Sequence, residues 1–395
     1  MGAGTHHDHD ETIRLHNEAV GLESDNGIIY LKRAVARAAK GDLDGALGDY
    51  DEAIRLKPDY GRAYAERGRV RQEKGDFDGA LRDYDEAIRL DPESRIAYSN
   101  RLSLRKAKGD LDGVLRDIDE LIRLGPDSSL DYFSRARLRK AKGDLDGAVR
   151  DYDELIRISD PKWLPLPYID RADARKAKGD LDGALRDYDE AIRLKPDFWA
   201  AYAARADARK AQGDLDGAMS DCDDATRLKP DFWAVYTARA DARKAKGDLE
   251  GALGDCDEAI RLEPESNIAY LCRASVRKAK GDLDGALHDY DEAIRLHPYY
   301  GYAYFYRASA HNAKGNVHWA LRDYDEAIRL EPDNGVFYFN RAALWESAHR
   351  YLDAVADLQK YLDLGGDISE GDQAEVKQRI QELKNKDKAL RCDRR

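Results

Sequence analysis

Three sets of residues are of types that could do chemistry, and their spacing says what each is for. Arg recurs eight residues before, and Asp eight residues after, a Gly that itself recurs along the chain: Arg171 and Asp187 about Gly179, Arg205 and Asp221 about Gly213, Arg239 and Asp255 about Gly247. A guanidinium beside a carboxylate can stabilise a reacting group, but an enzyme does not need that pair repeated from end to end of its chain. The pairs are therefore expected to form a structural ladder, with bidentate Arg–Asp bonds at partly buried sites. His6, His7, Asp8 and His9 form the second set. They could hold a transition metal weakly, or be a solvated terminal run. In the third, Asp-Leu-Asp-Gly strings such as Asp180–Gly183 set two carboxylates close together. They lack the further acidic ligands of a calcium loop and stand where a helix should begin, so Asp180 and its equivalents read as helix caps. The chain carries no phosphate-binding glycine loop, paired-histidine zinc motif, Gly-x-Ser-x-Gly elbow or Cys-x-x-Cys. No catalytic residue, cofactor or metal site is expected.

These residues are placed by a repeat. Gly-Asp steps at Gly41, Gly75, Gly109, Gly143, Gly179, Gly213, Gly247 and Gly281 are followed by Gly315-Asn316 and a degenerate His349-Arg350, at intervals of 34 residues except for 36 between Gly143 and Gly179. Between the steps the apolar residues fall on helical faces, as in Ala184, Leu185, Tyr188, Ala191, Ile192 and Leu194. Charged pairs such as Asp189 and Arg193 occupy the opposite face, and Pro196 ends the helix. A second helical stretch from about Ala200 to Gln212 precedes the next Gly-Asp, so each copy is a helical hairpin. One hairpin leaves an apolar face open, and stacking on neighbours closes it.

The period, the two-helix pattern and the recurring Tyr, Gly, Ala, Tyr or Phe, Ala and Pro resemble the tetratricopeptide repeat family. The fold class implied is all-α, an α-solenoid of hairpins curling into a right-handed superhelix. Ten repeats are expected over 27–368, with a disordered tail at 1–9, a half-repeat cap helix at 10–26 and a C-terminal capping helix at 369–391. Val376, Ile380 and Leu383 would be the apolar face of that last helix, with Asp372 and Glu375 as its capping box. At 159–167 a two-residue insertion carries Pro161, Pro165 and Pro167; a change of twist or a modest hinge is expected there, and the next helix should start near Pro165.

Composition narrows the partners. Charged residues make up 36% of the chain, yet the net charge is only -12 and both signs alternate within each repeat, a pattern that argues against nucleic acid. No apolar stretch is long enough to span a membrane, and the start lacks a secretory signal. Cys222 and Cys256 stand where other repeats place a core Tyr and read as small core residues, Cys272 as similar; a reducing cytoplasm is the default compartment.

In the resembling family the first helices line a concave groove that binds partner segments. Positions thirteen, ten, six and three before the turn Gly should face it: Asp173 and Lys176, Asp207 and Lys210, Asp241 and Lys244 in the middle, and Tyr302, Phe305, Val336 and Phe339 at the C-terminal end. The aromatic end reads either as an anchor for a partner or as packing beneath the terminal helix. Where the family commonly has Leu, this chain carries the ladder Arg, and its groove alternates Asp with Lys where the carboxylate-clamping subclass needs a basic cluster. The expected function is a non-enzymatic scaffold that binds a protein or peptide segment, the alternative being a regulatory or substrate-recruiting subunit of an enzyme whose catalytic chain is separate.

Overall fold

In the computed structural model, which describes residues 3–23, 25–365 and 370–393, the chain forms 22 α-helices and one 3₁₀ turn, with no strand among the described residues. The local cause is the same in each hairpin. Gly213 takes φ 89, a left-handed conformation open to Gly at little cost, and so ends α12 (Trp199–Gln212). Asp214 then caps α13 (Leu215–Leu228), its Oδ1 accepting from the Gly217 N–H at 2.9 Å. Asp42, Asp76, Asp110, Asp144, Asp248 and Asp282 cap their helices in the same way, as the spacing implies.

The chain divides into two compact units, residues 1–180 and 181–395. The first holds α1 (Ala3–Leu22), four hairpins, of which the last is α8 (Ser129–Ala141) with α9 (Leu145–Ile158), and then α10 (Pro165–Ala177). The second opens with α11 (Leu181–Leu194), continues through α12 and α13, α14 (Trp233–Lys246) and α15 (Leu249–Leu262), α16 (Asn267–Lys280) and α17 (Leu283–Leu296), α18 (Gly301–Ala313) and α19 (Val317–Leu330), and α20 (Gly335–Ser347) and α21 (Tyr351–Asp363), and ends with α22 (Glu370–Asp393).

Three expectations about segments meet the structure differently. The stretch 1–9, read as a tail, is already helical from Ala3, because α1 extends its helix past the half-repeat; the side chains of His6, His7, Asp8 and His9 lie outside the described residues. On α1, Asn17 accepts from Arg33 Nη1 at 3.0 Å, as Asp51 does from Arg67 one repeat later. At the proline joint Pro161–Trp163 make the 3₁₀ turn, and α10 starts at Pro165 as expected. Finally, α22 begins at Glu370, and the side chain of Asp372, expected in its capping box, lies outside the described residues.

The core is a succession of local clusters. In one, Ala206, Ala218, Cys222, Ala225, Val235 and Ala242 join α12, α13 and α14. A tilted ring contact joins two successive loops between hairpins, with Trp199 and Phe232 centroids 4.4 Å apart. Tyr202, Tyr236, Tyr304 and Tyr338, each eleven residues before a turn, contribute twice. Tyr236 donates its hydroxyl to the Pro230 carbonyl at 3.0 Å, and its ring lies under the Arg239 guanidinium at 5.4 Å.

The Arg–Asp ladder is present and denser than its spacing implies. Arg205 gives Nε and Nη2 to the buried Asp221 at 3.0 and 2.6 Å, and turns Nη1 to Asp189 of the preceding hairpin at 2.5 Å. Arg239 repeats this with Asp255 and Asp223. A second guanidinium, Arg209 or Arg243, reaches the same buried Asp at 2.9 or 2.8 Å. In the fifth repeat Asp187 is likewise buried, and Arg171 pairs with Asp153 at 2.5 Å. Arg205 and Arg239 therefore each close their own hairpin and tie it to the one before.

Candidate functional site

Once ladder and core are assigned, the first helices keep one face uncommitted. In the second unit this face holds a cavity of about 680 Å³ bounded by α14, α16, α17 and α18. Its polar wall comes from positions that the spacing rule selects on α14, namely Thr237, Asp241 and Lys244. Its apolar wall is Ile268 and Leu271 on α16 with Tyr290, Tyr300 and Tyr306. The mixture of an apolar pocket with a few convergent polar groups is what binding sites share.

Nine residues after the turn, most repeats bury a Tyr, as at Tyr188 and Tyr290, while the sixth and seventh repeats bury Cys222 and Cys256. Of these four, Tyr290 lines the cavity.

The lysines of this face pair with the Asp one helical turn before them and also reach the following first helix. Lys244 Nζ lies 3.4 Å from Asp241 within its own helix, but donates at 2.6 Å to Ser275 on the next first helix. Lys278 likewise donates to Ser309 at 2.6 Å, and Lys210 lies 3.5 Å from Asp207 and 3.8 Å from Asp241. In the first unit Lys140 reaches Asp173 at 3.4 Å, with Lys176 half-buried on the same helix. Lysine at this position is thus a strut to the following hairpin. Burial in the cavity wall lowers the Lys278 pKa below the ordinary lysine value.

The aromatic C-terminal end is divided among three places. Phe305 stacks on Phe337 at 5.2 Å and packs against the cluster of Ala308, Ala320, Tyr324 and Leu344. Phe339 lies 5.1 Å from Tyr361, on the cluster that Val376, Ile380 and Leu383 of α22 complete. Tyr302 and the exposed Val336 line a separate cavity of about 820 Å³ beside Tyr361 and Leu364. Of the site residues expected from sequence, Asp241 and Lys244 belong to the first cavity and Tyr302 and Val336 to the other. Ile268, Leu271, Ser275 and Lys278 were missed, although the same spacing rule applied to the eighth repeat selects them.

A TPR repeat model matches residues 172–213, and tetratricopeptide repeat models match 61–94, 6–61, 237–300 and 273–318. The chain belongs to the tetratricopeptide repeat family. No curated protein matches the sequence. Among solved structures this tetratricopeptide chain is similar to yeast Tom70, 17% identical with a TM-score of 0.56 over 96% of this chain and 93% of that one. It is also similar to the human IFIT1 dimer with m7Gppp-AAAA, at 15% identity and TM-score 0.53 over 83% and 82%. Cut9 with Hcn1, from the APC/C, matches at 12% identity and TM-score 0.50 over 95% and 93%. At these identities the likeness is one of fold. No helix among the described residues is long and apolar enough to cross a membrane, and none of their His, Cys, Asp and Glu side chains group to hold a metal ion.

Proposed function

We propose that this protein is a non-enzymatic scaffold whose first-helix face binds a segment of a partner protein, with the cavity between α14 and α18 as the anchoring point. The observation that carries this reading is the composition of that cavity. The apolar wall of Ile268, Tyr300 and Tyr306 suits an apolar side chain, while Thr237, Asp241 and Ser275 offer hydrogen bonds that fix a backbone. Large aromatic surfaces in a pocket are the usual carriers of binding energy. The Asp–Lys rows at Asp173, Lys176, Asp207 and Lys210 set which charges a bound segment can bring, and so act on specificity more than on affinity. Tyr302 and Val336 offer a second apolar contact, while Phe305 and Phe339 act mainly by packing.

A random peptide library panned against the full chain tests the reading. Enriched peptides, measured by calorimetry, should bind at least about tenfold more weakly to Ile268→Asp, a loss of about 1.4 kcal/mol. Ile268 is 50% exposed, so the melting curve of this variant should stay close to that of the parent. Peptides that bind both proteins equally would place the partner site elsewhere.

A further inference from the structure

Cys256 on α15 and Cys272 on α16 bring their sulfurs to 2.9 Å, both side chains buried. The positions they occupy meet throughout this fold, nine residues after one turn and nine before the next. One repeat later the equivalent residues are Tyr290 and Tyr306, stacked with centroids 6.4 Å apart. One repeat earlier they are Cys222 and Ala238, so Cys222 faces no thiol there. Among the described residues, two thiols meet only at this joint. They are also unequal: Cys256 is 0% exposed, whereas Cys272, 8% exposed, lines the cavity.

We propose that Cys256 and Cys272 are a redox site, oxidised by a small peroxide entering the cavity to an intramolecular disulfide that ties α15 to α16. The inference stands whether or not the cavity binds a peptide. Bonded sulfurs lie about 2.05 Å apart, so closure needs a movement of less than about 1 Å. The hydrogen bond to Cys272, with burial, holds the Cys256 thiol protonated by raising its pKa, which leaves Cys272 to react first. Cys272 Sγ attacks one peroxide oxygen; the O–O bond breaks, Cys272 becomes a sulfenic acid, and the departing oxygen takes up the proton that the Cys272 thiol gives up and leaves as water. Cys256 then gives up its proton as its sulfur attacks Cys272 Sγ, forming the S–S bond and releasing the second water. Two thiols lose two electrons and two protons, and one peroxide becomes two waters.

The full chain is treated with hydrogen peroxide, blocked with N-ethylmaleimide, and digested with trypsin without reduction. The expected product is a linked peptide pair containing Cys256 and Cys272, two hydrogens lighter than the separate peptides, with Cys222 unlinked. Cys256→Ala should stop the reaction at the sulfenic acid of Cys272, trapped by dimedone, and Cys272→Ser should leave Cys256 unoxidised. The proposal is overturned if the folded chain gives no such pair while the urea-unfolded chain does, or if Cys272 links to Cys222 or Cys392 instead.

Discussion

Asp221 shows what one buried carboxylate asks of its neighbours. Taken from water, its charge would cost several kcal/mol unless paired and hydrogen-bonded. Arg205 supplies two bonds and Arg209 a third. For Arg205, burial by itself would lower the guanidinium pKa, but its bonds to Asp221 and Asp189 outweigh that and raise it. The two partners are therefore not equivalent. Arg205→Leu leaves Asp221 with Arg209 and should cost roughly 1–3 kcal/mol. Asp221→Leu leaves two guanidiniums facing a site without a carboxylate and should cost more, about 3–5 kcal/mol. Urea titration of both variants and of the double variant checks the order, and a cycle without coupling energy would show the pair to be independent. Cys222 carries a pH-dependent contribution. Burial pushes its thiol up to about 12, against about 8.5 for an exposed cysteine. The fold favours the protonated form, so the stability is complete below about pH 8.5 and is lost as pH rises from there towards 12. Cys222→Ala should flatten part of the alkaline fall in the urea midpoint.

At the scale of one element, the hairpin turn decides whether a repeat forms cleanly. Nine of the ten turns carry Gly at positive φ, and the tenth has His349 at φ 57. A side chain in the left-handed region costs about 1–2 kcal/mol, here offset in part by the His349 Nδ1 contact with the Tyr351 hydroxyl at 2.9 Å. His349→Gly should therefore stabilise the last hairpin by up to about 1 kcal/mol, seen as slower hydrogen exchange in α20 and α21. Terminal elements depend on a partner in the same way. Val376, Ile380 and Leu383 match the spacing of an amphipathic helix, and α22 buries them on Tyr338, Leu358 and Tyr361.

Across the whole molecule, stability is distributed because each cluster joins only adjacent helices. Tyr84 belongs with Ala80 and Leu104, and Tyr290 with Ala286 and Ala303. A solenoid of this kind responds to damage near its source. Tyr84→Ala should cost about 3–5 kcal/mol locally. Exchange protection should fall across residues 61–108 and hold in α16, α17 and α18; an equal loss throughout would mean one cooperative core.

The sequence by itself determined the hairpins, their turns and the pairing of each Arg with an Asp sixteen residues on. All three are short-range consequences of a period that repeats whole, and a symmetric spacing about a turn brings two side chains together whatever the rest of the chain does. What joins one hairpin to the next was decided in tertiary structure. The second guanidinium on Asp221, the reach of Lys244 to Ser275 and the sharing of Phe305 and Phe339 among different clusters depend on the angle between helices. Spacing along the chain does not encode that angle. The cavity belongs to the same class: its lining residues can be read in the sequence, but the space exists only where α14, α16 and α18 come to lie around it.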